Sequence, residues 1–194
     1  MLKNWLAPLA IIALTILFLL FWDTPPQSFL NPETPPQAQV KYPSNILHNT
    51  VNRRYDDEGQ LNSVFEAEES RYFQVNPKRR SRRDYAELEL PKLTLHSSDK
   101  PPWRITADKG KAEKNGDLIK LWGNVHIWQR DELGQVSELT TPYLVVKPER
   151  QYAETDKPVM IVSAGSTTNA VGMKAFLQQD KIQLLSQVRG IHEP

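Results

Sequence analysis

The chain has no cysteine in 194 residues. That excludes a disulfide-stapled scaffold, a cysteine zinc site, thiol chemistry and a lipid-modified N-terminal cysteine. Excess charge of either sign is missing too: 24 Lys and Arg balance 23 Asp and Glu, for a net charge of +1. A general nucleic-acid or polyanion binder carries a field that this balance does not supply. His48, His96, His126 and His192 are scattered, with no H-x-x-x-H pair and no H-E-x-x-H helix. There is no G-x-S-x-G elbow and no glycine loop for phosphates, so nothing points to an enzyme, a metal or a cofactor. The carboxylate groups Glu66-Ala-Glu68-Glu69 and Asp56-Asp57-Glu58 read as a solvated strand face and a turn. Amphipathic helical spacing is absent beyond residue 40.

One long apolar run is present. Trp5 to Trp22 contain no charge over 18 residues and are flanked by Lys3 and Asp23. A helix of that length spans about 27 Å, close to a bilayer core, and its terminal tryptophans fall at the interfaces. The run ends Phe18-Leu19-Leu20-Phe21-Trp22, too long and bulky for a cleaved signal peptide, which ends in small residues. The expectation is a cytoplasmic tail over 1–4, a single-pass anchor over 5–22 and delivery of the rest to the far side of the membrane. Prolines at 25, 26, 32, 35, 36 and 43 then make residues 23–45 an extended spacer. About 150 residues remain for one domain, 46–194.

That domain reads as strands. Ile119, Leu121, Gly123, Val125 and Ile127 alternate with Lys120, Trp122, Asn124, His126 and Trp128. The apolar character of both faces around Trp122 and Trp128 predicts one packed face and one lining a hydrophobic groove. Leu88, Leu90, Leu93 and Leu95 run around Pro91, which predicts an edge strand or bulge. Turns are expected at Asn115-Gly116-Asp117, Lys147-Pro148-Glu149, Thr155-Asp156-Lys157-Pro158 and Gln178-Gln179-Asp180. Units starting at Thr106, Thr140 and Gly172 each read strand, turn, strand, at spacings of 34 and 32 residues. Such hairpins bury their apolar faces only by stacking, as two facing sheets or a rolled solenoid.

The densest charge is Lys78-Arg79-Arg80-Ser81-Arg82-Arg83, placed in a loop by Asn76-Pro77. Behind a membrane anchor, Arg79, Arg80, Arg82 and Arg83 are candidates for contact with phosphate on a membrane lipid or with a partner's acidic face. A solvated loop is the other reading.

Pro102-Trp103-Arg104-Ile105-Thr106-Ala107-Asp108-Lys109-Gly110-Lys111-Ala112 and Leu121-Trp122-Gly123-Asn124-Val125, followed by Leu139-Thr140-Thr141, Gly172-Met173-Lys174 and Val188-Arg189, resemble the LptC family of lipopolysaccharide export proteins. The resemblance covers the anchor and residues 46–192. It implies an all-β open jellyroll, two antiparallel sheets in a V whose groove holds lipopolysaccharide acyl chains. It also implies partners: an LptA-like periplasmic protein at the C-terminal strands, and the LptB2FG transporter at the anchor and N-terminal edge. Carried over by position, the groove-lining candidates are Thr50, Leu88, Ile182 and His192. The basic run at 78–83 departs from the family pattern as an insertion. The alternative is a membrane-anchored envelope scaffold whose β-domain binds only proteins.

Overall fold

The computed structural model describes residues 11–18, 42–76, 78–97 and 100–192. Residues 11–18, the middle of the expected anchor, are helical and exposed. Residues 5–10 and 19–22 of that anchor, and most of the proline-rich spacer, lie outside the described residues. Among the described residues no helix is long and apolar enough to cross a membrane.

Eleven strands follow: β1 (Asn45–Tyr55), β2 (Leu61–Phe73), β3 (Tyr85–Glu89), β4 (Lys92–Ser97), β5 (Lys100–Thr106), β6 (Lys109–Glu113), β7 (Leu118–Arg130), β8 (Val136–Lys147), β9 (Tyr152–Ser163), β10 (Ser166–Phe176) and β11 (Lys181–His192). Every pairing is antiparallel. The expected all-β class holds.

The long strands are bent near their middles, and this bend organises the sheet. β2 pairs β4 through Ser63–Glu66 but β3 through Glu69–Phe73. β7 likewise pairs β6 through Leu118–Trp122 and β5 through His126–Trp128. The strands β2, β3, β6, β7, β5 and β4 therefore close a hydrogen-bonded ring. β8 to β11 extend outward from β7, and β1 adds to β2. Among the described residues β1 and β11 are the outermost strands, each with a free edge.

Residues with positive φ mark the bends: Asn49 in β1, Gly123 and Asn124 in β7, Gly172 in β10 and Gln187 in β11. The ladders change register at or beside the bends in β7 and β10. A left-handed residue inside a strand adds a bulge, which sharpens the local turn. Gly123 has φ +75°, and a Cβ there would lie 2.7 Å from Asp108 Oδ2.

The three sequence units are the β6–β7, β8–β9 and β10–β11 hairpins. Their short 3₁₀ turns at Lys114–Gly116, Pro148–Arg150 and Leu177–Gln179 lie where the turn signals placed them. Thr155–Pro158 is different, because it lies within β9 rather than at its end. Pro158 has no N–H to give and the Lys157 N–H turns to Thr155 Oγ1 at 3.1 Å, so the strand buckles but continues. Pro91, expected on an edge strand or at a bulge, does not lie on an edge. It is fully buried between β3 and β4, where the chain switches from one half of β2 to the other.

Candidate functional site

One face of strands β2 to β11 forms a single core cluster that includes Leu88, Leu93, Leu95, Ile105, Leu121, Val125, Leu139, Leu144, Val146, Met173 and Ala175. On β7 the odd-numbered positions supply it. The even-numbered face points away: Trp122 is exposed, and Trp128 stacks on His126 at 4.7 Å. The aromatic face of this strand therefore does not join the apolar interior.

Side chains directly opposite one another in a ladder share a face, which places the candidate residues. Thr50 stands opposite buried Ala67, and Leu88 opposite buried Ser70. Thr50 Oγ1 also lies 2.9 Å from Ser70 Oγ, so Thr50 and Leu88 share one neighbourhood. Ile182 stands opposite buried Ala175 and packs half-buried against the core. His192 stands opposite Ser166, two steps along from Thr168 and four from buried Ala170. All four candidates thus occupy the inward face. They fall in two groups, Thr50 and Leu88 near the β1 edge, Ile182 and His192 on β11.

Their exposure differs by position along the sheet. Leu88 is 3% exposed, while Leu47 on β1, opposite Ser70, is 52% exposed. Val188 on β11 is 53% exposed. It lies between Ser186 and Gly190, beyond the bend at Gln187. The apolar interior is dry in the middle strands and opens at both outermost strands. Ile46, Val51, Leu185 and Ile191 add exposed apolar area along the same two edges. Sequence reasoning missed Leu47 and Val188. The bulge at Asn49 shifts the alternation in β1, so the facing of Leu47 is not legible from period two alone, whereas Val188 keeps the even-numbered face of Ile182 and His192.

Two recesses lie at the bends, the second of them on the outward face. One of about 360 Å³ is lined by Asn49, Thr50, Val51, Glu66, Leu90 and Lys92, where β1 bends over β2. Another of about 550 Å³ lies along the bends of β7 to β10, between His126, Thr140, Pro158, Met160 and Asn169. Polar ties join the turns. Arg54, near the end of β1, donates to Asp117 at 3.2 Å, Glu149 at 3.0 Å and the Asn115 carbonyl at 3.1 Å. The β4–β5 hairpin reaches two other turns: Lys100 Nζ meets Asp180 at 2.5 Å, and Gln151 Nε2 donates to the His96 carbonyl at 2.6 Å.

The basic run occupies the loop between β2 and β3. Asp84, 3% exposed, accepts from the Tyr72 hydroxyl (3.2 Å), the Val75 N–H (2.9 Å) and the Ser81 N–H (2.8 Å). Asn76 Oδ1 and Ser81 Oγ accept from the N–H groups of Lys78 and Arg83. Arg79, Arg80, Arg82 and Arg83 are exposed, and none joins an ion pair among the described residues. Burial and the hydrogen bond to Asp84 both push the Tyr72 hydroxyl above its ordinary pKa.

No curated protein matches the chain. Among solved structures it is similar to LptH of Pseudomonas aeruginosa, described as the LptA-homologous periplasmic component of the conserved lipopolysaccharide transport device. That similarity has a TM-score of 0.49 at 10% identity, covering 75% of this chain and 96% of the other. A family model described as lipopolysaccharide-assembly, LptC-related, matches residues 8–193, which takes in the helical segment, all eleven strands and both free edges. By that near-complete match the chain belongs to the LptC-related lipopolysaccharide-assembly family.

Proposed function

We propose that the chain is a tethered lipopolysaccharide carrier, held in the inner membrane by residues 5–22 with its N-terminus cytoplasmic and its β-domain periplasmic. The β-domain works as an open jellyroll whose inward face accepts acyl chains. It receives lipopolysaccharide from an LptB2FG-like transporter at the anchor and β1, and passes it to an LptA-like protein at β11. Family membership supports the cargo. The observation that carries the route is the apolar inward face, which continues from the buried core to half-exposed Leu47 and Val188 on the two free edges.

The physical need is plain. A 14-carbon acyl chain left in water costs about 10 kcal/mol at about 0.8 kcal/mol per methylene. An apolar face that stays uncovered at both edges can join end to end with similar faces, and free edges add partner strands by ordinary ladder pairing. Thr50 and His192 form the polar rim of this path, while Leu88 and Ile182 belong to its apolar floor. Leu88 is too deeply packed for Leu88→Asp to be a clean probe, because a buried unpaired carboxylate would unfold the domain.

Photocrosslinking separates the inward face from the outward one. A photoreactive residue at position 47 or 188 of the full chain, in cells making lipopolysaccharide, is expected to give lipopolysaccharide adducts, and one at position 122 none. Equal adducts at all three sites, or none at 47 and 188, would overturn the route. An envelope scaffold without cargo gives protein adducts alone.

A further inference from the structure

The chain carries net +1, yet five cations lie within residues 78–83, so everything else sums to −4. This concentration is exposed and unneutralised by ion pairs among the described residues. It is also held in shape. Asp84 gathers Tyr72, Val75 and Ser81, while Asn76 accepts from Lys78 and Ser81 from Arg83. A loop held at these residues loses less conformational freedom when its arginines engage a surface.

Its position supplies the second observation. The Ser44 N–H and hydroxyl both donate to the Tyr72 carbonyl, at 2.8 and 3.0 Å. The hydroxyl of the same Tyr72 donates to Asp84. The chain therefore enters the β-domain beside the residue that pins the basic loop. Tyr42, 81% exposed, precedes that entry, and Val75, 45% exposed, begins the loop. Cations flanked by an exposed tyrosine and an exposed aliphatic side chain are the residue types that settle at a lipid headgroup layer.

We infer that Val75 and residues 78–83, with Tyr42, form a docking surface for an anionic phospholipid bilayer, in which Arg79, Arg80, Arg82 and Arg83 meet lipid phosphates. The inference rests on reading residues 5–22 as a membrane span, because the tether is what keeps the loop near a bilayer. Docking would hold the entry end of the domain at the membrane. Its strength falls with salt, since exposed charges are screened beyond about 8 Å at physiological ionic strength.

Absence of native cysteine makes the test direct. Val75→Cys, and separately Leu133→Cys in the turn between β7 and β8 as a control, are labelled with a donor fluorophore in the full chain. Each is reconstituted into phosphatidylcholine vesicles with or without about 30 mol% phosphatidylglycerol, with an acceptor on the headgroups. Energy transfer from position 75 is expected to rise with the anionic lipid while position 133 stays unchanged. Replacing the four arginines by serine is expected to lower the docked-to-free ratio about tenfold or more, and replacing them by lysine to retain it. Transfer from position 75 that ignores lipid charge, survives high salt, or rises only when lipopolysaccharide is added would overturn the inference. Flotation distinguishes the tether from the loop. Failure to float with neutral vesicles refutes the membrane span. Flotation with anionic vesicles alone, abolished by the serine variant, would still uphold the loop, and no flotation with either refutes both.

Discussion

Gly123 shows how much of this fold hangs on single residues. It needs a left-handed backbone, and the Asp108 side chain occupies the space a Cβ would take. The same Asp108 accepts from the Asn124 side chain at 2.8 Å, and its N–H donates to the Gly123 carbonyl at 2.9 Å. Gly123→Ala is expected to cost about 1–3 kcal/mol, because it meets backbone strain and a close contact together. A denaturant titration checks this; a loss below about 0.5 kcal/mol would mean the bend relaxes without strain. The sequence shows a glycine in a strand and hence a close approach there. It does not name Asp108 as the neighbour, because Asp108 lies just before β6 and meets Gly123 only through the register of the β6–β7 hairpin, which the turn residues alone do not set.

Hairpins are the elements most legible in the sequence. The strand-turn-strand units starting at Thr106, Thr140 and Gly172 recur as β6–β7, β8–β9 and β10–β11, since alternation and turn residues act locally. What is not legible is partner switching. Nothing near Pro91 says that the segments before and after it pair with different halves of β2. That choice is made by the ladders that β5 and β6 form with β4 and β3, of which the β3–β6 pairs join residues 20 or more apart in the chain. The groove candidates come from the family resemblance rather than from periodicity, and their grouping at two separate edges follows from the strand order alone. Two hairpins carry the same electrostatic device. In β6–β7, Lys120 donates to Glu113; in β8–β9, Lys147 donates to Glu154, which also accepts from the Tyr152 hydroxyl at 2.8 Å. Burial opposes ionisation of Glu113, but the hydrogen bonds from Lys120 and Lys111 outweigh it and lower its pKa. The hydrogen bonds from Lys147 and Tyr152 lower that of Glu154. Groups depressed in the fold contribute stability above their unfolded value of 4.5, and it is lost as pH falls through the folded value. Tyr152 has the opposite sign. Burial, then its bond to Glu154, pushes it up to about 12. Its contribution is present below pH 10.0 and lost as pH rises toward about 12. Thermal unfolding across pH is expected to show both limbs. Glu154→Gln should flatten the acid limb and Tyr152→Phe the alkaline one; unchanged limbs in both variants would assign them to other groups.

At the scale of the whole molecule, the ring of β2 to β7 and the open row of β8 to β11 obey different rules. No strand of the ring can leave without breaking a ladder on each of its two sides, so the ring opens as a unit. The backbone ladder joins the row to the ring through β7 alone, with side-chain ties at its turns, and β11 pairs on one side only. A one-sided array frays from its free end. Amide exchange is therefore expected to quicken stepwise from β8 to β11 and to stay uniformly slow around the ring. Hydrogen exchange read by mass spectrometry checks this; a β11 as protected as β7 would refute it. The fraying end is also the edge proposed to receive a partner strand. A strand that pairs with β11 would convert this last ladder into an internal one, so docking there also anneals the outer hairpins. On that proposal the row would be most ordered when it is occupied, and its order would become a report of whether a neighbour is present.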